Sequence, residues 1–145
     1  MAWKIDGPVL VPYDFSAHSD AAVDRALEIT NDASRVRVLH VLPEIVPTEP
    51  GVVWGTVDDQ SRIEHTLRAL AEKFPPGEYG KLDFEVKLGD AGSVAARVAE
   101  ELGTDLIVLG SQGRTGLSRM VLGSVAERVA RLASCPVLIM KLPDQ

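Results

Sequence analysis

The 145-residue sequence has a single cysteine, Cys135, so it can form no intramolecular disulfide. It needs none, because a chain of this length buries roughly two thirds of its unfolded surface. It also lacks an excess of positive charge. Lys plus Arg number 15 against 21 for Asp plus Glu, a formal net charge of −6. That excludes an overall basic footprint for nucleic acid, which is not expected as a partner. Long apolar runs are absent too. Leu106 to Leu109 and Val137 to Met140 are the continuous ones, far short of the ~20 residues of a membrane span. Met1 to Asp6 carries no apolar core of a signal peptide. The expectation is one domain over residues 1–145, reduced and cytoplasmic, with no membrane partner.

Several catalytic and phosphate-binding signatures are missing as well. No Gly-x4-Gly-Lys followed by Ser or Thr occurs, which excludes a P-loop. No Gly-x-Gly-x-x-Gly occurs and the first turn holds no glycine, which excludes the dinucleotide fingerprint. Gly-x-Ser-x-Gly is absent, and with it the nucleophile elbow. Cys135 precedes Pro136 without a neighbouring base or metal ligand and reads as a small buried residue.

What is present alternates. Pro8 to Pro12, Val36 to Leu42, Leu82 to Leu88, Asp105 to Leu109 and Pro136 to Met140 read as strands. The last two are continuously apolar and suit strands covered on both faces. Leu82 to Leu88 alternates polar and apolar residues and suits a sheet edge. Between them, apolar stripes at helical spacing run through Ala22 to Thr30, Ile63 to Phe74, Val94 to Leu102 and Val125 to Ala133. Pro75-Pro76-Gly77 and Gly103 stop two of these helices, and Asp90 can cap the third. The order β-α-β-α-β-α-β-α-β implies an α/β fold: an open parallel five-stranded sheet with helices on both faces. Two connections, Pro43 to Val57 and Gly110 to Leu122, are long enough to suggest function.

Ligands of such sheets bind beyond the carboxyl ends of the strands. The connection after the fourth strand carries Gly110, Gly113, Gly123 and Ser124, spaced Gly-x2-Gly-x9-Gly-Ser. Gly110 sits where a tight exit and close ligand approach favour the lack of a side chain. Gly123-Ser124 opens the last helix, whose free amides and dipole make an anion site. The spacing arises by chance in roughly one chain in a hundred of this size.

That spacing resembles the ATP-binding signature of the universal stress protein family. Val11 to Ser16 resembles the family's first strand and turn, His40-Val41 the end of its second strand, and Pro136 to Ile139 its last strand. The resemblance covers nearly the whole chain. It implies the adenine nucleotide alpha hydrolase-like fold with strand order 3-2-1-4-5. It also implies that Pro12, Asp14 and Val41 line the adenosine end, and that Gly110, Gly113, Gly123, Ser124 and Val125 hold ribose and phosphates. Tyr13, Leu109, Ser111 and Arg114 complete the expected ATP site, with Mg2+ as the accompanying ion. A homodimer through the last strand, Pro136 to Met140, is implied too, with an unknown protein partner.

Asp14 has three readings: acceptor for adenosine, ligand for Mg2+ near phosphates, or organiser of the first helix. His40 reads as packed in its strand, and His18 and His65 as solvated. Arg114 or Arg119 is read either as a γ-phosphate contact or as a solvated loop residue, and Trp54 as a cover or an anchor. No general base or loop lysine is evident, so any ATP hydrolysis is expected to be slow. The function expected is an ATP-binding signalling or stress-response module. The alternatives are a family member working only through protein contacts, with a vestigial site, and a phosphoacceptor receiver domain. A receiver needs an aspartate ending the third strand, where this chain reads Lys87-Leu88-Gly89-Asp90.

Overall fold

The computed structural model describes residues 4–44, 58–112 and 122–142. Gly113, Arg114, Arg119 and Trp54 lie outside these residues. The five apolar runs are strands β1 (Val9–Pro12), β2 (Val36–Leu42), β3 (Asp83–Leu88), β4 (Leu106–Gly110) and β5 (Val137–Met140). All pair in parallel, in the order β3-β2-β1-β4-β5. This is the order the family resemblance implies. It differs from the 2-1-3-4-5 order of receiver-type sheets, which removes that alternative.

The stripes fold as helices α1 (Ala17–Thr30), α2 (Asp59–Lys73), α4 (Ala91–Leu102) and α5 (Ser124–Leu132). A one-turn helix α3 (Pro76–Tyr79) and a 3-10 turn (Ala33–Arg35) add to what the periodicity predicts. Each strand shows one side of its pleat to each helical layer. Val9, Val11, Val36, Val38, Leu106 and Val108 pack with Ala22, Val23 and Ala26 of α1 and Leu70 of α2. On the other face Leu10, Leu39, Ile107 and Leu109 pack with Val94, Val98 and Ala99 of α4 and Ala126 and Val129 of α5. β1 and most of β4 are thus buried on both sides, which is why their sequences lack alternation.

The two sheet edges differ. β3 alternates Asp83, Glu85 and Lys87 with Phe84, Val86 and Leu88. Arg37 of β2 pairs with Asp83 at 2.7 Å and with Glu85 at 2.9 Å across that charged face. Charges of this kind guard an edge against further pairing. β5 reads Val137-Leu138-Ile139-Met140 and carries no charge. At the amino ends of the strands, Arg35 donates to the carbonyls of Ile5, Gly7 and Thr30. The Asp105 carboxylate accepts from the Gly7 amide at 2.7 Å. The segment entering β1 is therefore held from both sides.

Candidate nucleotide site

β1 leads to β2 on one side and pairs with β4 on the other, so connections leaving β1 and β4 diverge to opposite faces. A cleft of about 270 Å3 opens at their carboxyl ends. Ten of the twelve expected site residues line it: Pro12, Tyr13, Asp14, Val41, Leu109, Gly110, Ser111, Gly123, Ser124 and Val125. The other two, Gly113 and Arg114, lie outside the described residues. Ser19, Leu39, His40, Ala91, Gln112 and Ala126 also line the cleft. Its floor is largely apolar, from Leu39, Val41, Ala91, Leu109 and Ala126. Its rim is polar.

One wall is the turn from β1 into α1. The Tyr13 amide donates to the Leu39 carbonyl at 2.8 Å, continuing the β1–β2 ladder past the strand end. The Tyr13 carbonyl accepts from His40 Nδ1 at 2.7 Å. A carbonyl only accepts, so His40 carries its proton on Nδ1. Phe15 follows in the left-handed region, at φ 65°. Such a conformation costs on the order of 1–3 kcal/mol for a residue with a side chain. Edge contacts of its ring with Tyr13 and His40 hold it there. Asp14 Oδ1 accepts from the Ser16 amide at 3.0 Å and from the Ser19 hydroxyl. Ser16 caps α1 by accepting from the Ser19 amide. Of the three readings of Asp14, helix organisation is thus part of its role, and one oxygen serves it.

Tyr13 lines the cleft and also anchors the core. Its ring packs edge-on against Phe74, and its hydroxyl donates to Asp20 at 2.5 Å. Burial, followed by the Asp20 bond and charge, pushes the phenol far above its ordinary range. The side chain belongs to the core under α1 and α2.

The opposite wall is the β4 exit and the start of α5. The Ser111 amide donates to the Met140 carbonyl at 2.8 Å, and the Gly123 amide to the Ser111 carbonyl at 2.7 Å. These two bonds pin both ends of the intervening connection beside β5. The Gly123 amide is thus bonded within the chain. The free amides begin one residue later. α1, α2 and α4 each have a side-chain cap, from Ser16, Asp58 and Asp90. α5 has none, and its residues Ser124, Val125 and Ala126 face the cleft. The first amides of a helix have no intrahelical partner, so this end of α5 presents donors and the positive end of its dipole.

Gly110 has a further reason to lack a side chain. A Cβ there would stand 2.5 Å from His18 Cβ and 2.9 Å from the His18 carbonyl carbon. The close approach is between β4 and α1, and His18 is half-buried there, not solvated as its helical position suggests. His65 is exposed as expected. Asp90 caps α4, accepting from the Ser93 amide at 3.0 Å, and pairs with Arg128 of α5 at 2.9 Å. This occupies the residue a receiver would need for phosphorylation.

Among the described residues that line the cleft, Asp14 is the only carboxylate and none is Lys or Arg. Among the described residues no three His, Cys, Asp or Glu side chains gather to hold a metal. Of the described lining residues, Asp14 alone offers a carboxylate that could reach a metal. The chemistry offered is that of binding: an apolar floor for a flat ring, hydroxyls and a carboxylate at the rim, and a helix start for an anion. Ser19, Leu39, Ala91 and Ala126 carry no sequence signal for this role, because the topology alone brings them together. No helix is long and apolar enough to cross a membrane among the described residues.

Comparison with known proteins agrees with this architecture. Universal stress protein MJ0531 of Methanocaldococcus jannaschii is 33% identical over 143 residues, covering 94% of this chain and 83% of the relative. Universal stress protein YxiE of Bacillus subtilis is 32% identical, covering 92% and 97%. Among solved structures, universal stress protein UspA from Lactobacillus plantarum superposes with a TM-score of 0.72 at 24% identity, covering 96% and 99%. A universal stress protein in complex with cAMP gives a TM-score of 0.63 at 25% identity, covering 97% and 100%. A family protein from Arabidopsis thaliana with AMP bound shares the fold, with a TM-score of 0.58 at 23% identity and coverage of 94% and 92%. The family model described as the universal stress protein family matches residues 7–141, and the chain belongs to that family.

Proposed function

We propose that the chain, as one domain, binds an adenine nucleotide in the cleft between β1 and β4 and acts as a nucleotide-dependent stress-response or signalling module. The observation that carries this reading is the uncapped start of α5 facing an apolar-floored cleft. A planar base suits the floor of Leu39, Val41 and Leu109. A phosphate suits the amides of Ser124 to Ala126. Asp14 is the acceptor nearest the adenosine end in this arrangement. ATP is the nucleotide to test first, because the Gly110, Gly113, Gly123, Ser124 spacing resembles an ATP signature. The relative in complex with cAMP supports the broader class. Any Mg2+ would arrive on the nucleotide's phosphates.

Isothermal titration with Mg-ATP tests the proposal. Binding is expected at or below millimolar concentration. Gly123→Val should weaken it at least about tenfold, by blocking close approach to the helix start. Wild-type protein that gives no heat up to millimolar nucleotide would sink the reading.

A further inference from the structure

We propose that His40 is a positioning residue of the cleft. Its imidazole holds the Tyr13-Asp14-Phe15 turn against β2, and ligand affinity depends on it through that turn. The affinity part rests on the nucleotide reading of the cleft, whereas the hold on the turn does not.

The turn begins where the β1–β2 ladder gives out. The Tyr13 amide still donates to the Leu39 carbonyl at 2.8 Å. The Tyr13 carbonyl then takes a side-chain donor, His40 Nδ1, at 2.7 Å. The same imidazole meets the Phe15 ring edge-on, with centroids 5.2 Å apart. One side chain on β2 thus grips the residue before Asp14 and the residue after it. Phe15 stands at φ 65°. A bulky residue persists in that region only where its surroundings over-determine it. Here two rings do so, Tyr13 and His40. The Tyr13 ring is anchored independently, by Phe74 and by Asp20. Loss of His40 would therefore leave that ring in place and release the Tyr13 carbonyl and one side of Phe15.

Asp14 lies between the two grips and lines the cleft. Its amide donates to the Ser19 hydroxyl at 3.1 Å, and its Oδ1 accepts from the Ser16 amide at 3.0 Å. Those bonds tie Asp14 to the start of α1. His40 supplies a tie back to the sheet. A change of φ at Phe15 re-aims the peptides on either side, so the wall that carries Asp14 keeps its shape only while Phe15 is held. The Tyr13 carbonyl only accepts, so the bond needs the proton on Nδ1, and Nε2 takes no part in it. The two ring nitrogens can therefore be told apart.

Asparagine and glutamine separate them. In His40→Asn the side-chain amide stands near the place of Nδ1 and can donate to the Tyr13 carbonyl. In His40→Gln it stands near the place of Nε2. Amide hydrogen exchange on the ligand-free full chain, followed by NMR, reads the turn. The Asp14 and Ser16 amides should exchange at least about fivefold faster in His40→Gln than in wild type, the size of one hydrogen bond. They should return toward wild type in His40→Asn, with β4 amides unchanged in both. Titration of the same three proteins with Mg-ATP should show affinity falling at least about fivefold in His40→Gln and recovering in His40→Asn. Glutamine keeping the affinity that asparagine loses would set Nε2 against the ligand and overturn the positioning role. Equal loss in both variants would overturn the role of Nδ1. Equal exchange in all three proteins overturns the hold on the turn, and faster exchange with unchanged affinity overturns its link to the ligand. A wild-type chain that binds no nucleotide removes the nucleotide reading and the affinity part with it, while the exchange comparison still decides the hold.

Discussion

At Gly110 an added methyl group would have to displace main chain. Its nearest neighbours would be His18 Cβ at 2.5 Å and the His18 carbonyl carbon at 2.9 Å, and α1 is fixed to the sheet by Ala22, Val23 and Ala26. Overpacking of this kind costs typically 1–3 kcal/mol. Gly110→Ala should therefore lower unfolding stability by about 2 kcal/mol in urea titration. An unchanged midpoint would mean that α1 slides freely over β4. Thr104 is the opposite case. It is buried, and its hydroxyl has no hydrogen-bond partner among the described residues. A buried polar group without a partner carries its full desolvation cost, about 1–3 kcal/mol. Thr104→Val keeps the shape and removes that group, so stability should hold or rise. A loss above about 1 kcal/mol would reveal a bonded hydroxyl. These two residues also mark how far the sequence is legible. Gly110 stands out as a glycine at a strand exit, yet the neighbour that demands it is more than ninety positions away. No local pattern identifies His18. Asp90, by contrast, acts on residues directly after it, and its capping role is readable from the sequence alone.

Three of the four long helices start on a side-chain cap, and the cap of α4 has further consequences. Asp90 does three things at once: it caps α4, pairs with Arg128, and thereby ties α4 to α5 beside a tight contact of the two helices. At Gly92 an added Cβ would lie 2.7 Å from Arg128 Cβ. The Ser93 amide, then the Ser93 hydroxyl and the Arg128 guanidinium, hold the Asp90 carboxyl below its ordinary range. A carboxyl lowered in the folded state stabilises above its unfolded pKa, about 3.9, and that contribution is lost as pH falls through the folded value. Asp90→Ala should cost about 1 kcal/mol near neutral pH, a typical loss for a cap. The exposed ion pair adds little to that. The gap between wild type and variant should close as pH drops below about 4. Urea titrations at several pH values check the sign, and a gap that widens in acid would contradict it. Elements of this length are well marked in sequence. The apolar runs locate every strand to within one residue, because β1 and β4 are buried on both faces and β3 alternates. The one-turn α3 and the 3-10 turn are too short to show a period, so they appear only in the structure.

For the whole molecule the asymmetry of the sheet edges points to the assembly surface. β3 is guarded by Asp83, Glu85, Lys87 and the Arg37 pairs, whereas β5 offers Val137 to Met140 with no charge. An unguarded apolar edge exposes a row of main-chain donors and acceptors and invites pairing. A second copy satisfies both edges through a two-fold axis, with the same strand meeting itself. We therefore expect a homodimer joined at β5, as the family resemblance implies. Ile139 is a poor probe of it, because it packs against the core beneath α5. Leu138 points the other way and is 37% exposed, so a lysine there disturbs an edge contact with little effect on the core. Light scattering on the unaltered chain at micromolar concentration should give about twice the 15.6 kDa of one copy. Leu138→Lys should shift the mass toward one copy while circular dichroism and the urea midpoint of the dissociated chain stay close to those of wild type. A wild-type mass of 15.6 kDa would refute the dimer. A variant that remains dimeric would place the interface elsewhere, because a buried lysine facing its own symmetry mate brings two like charges into an apolar seam.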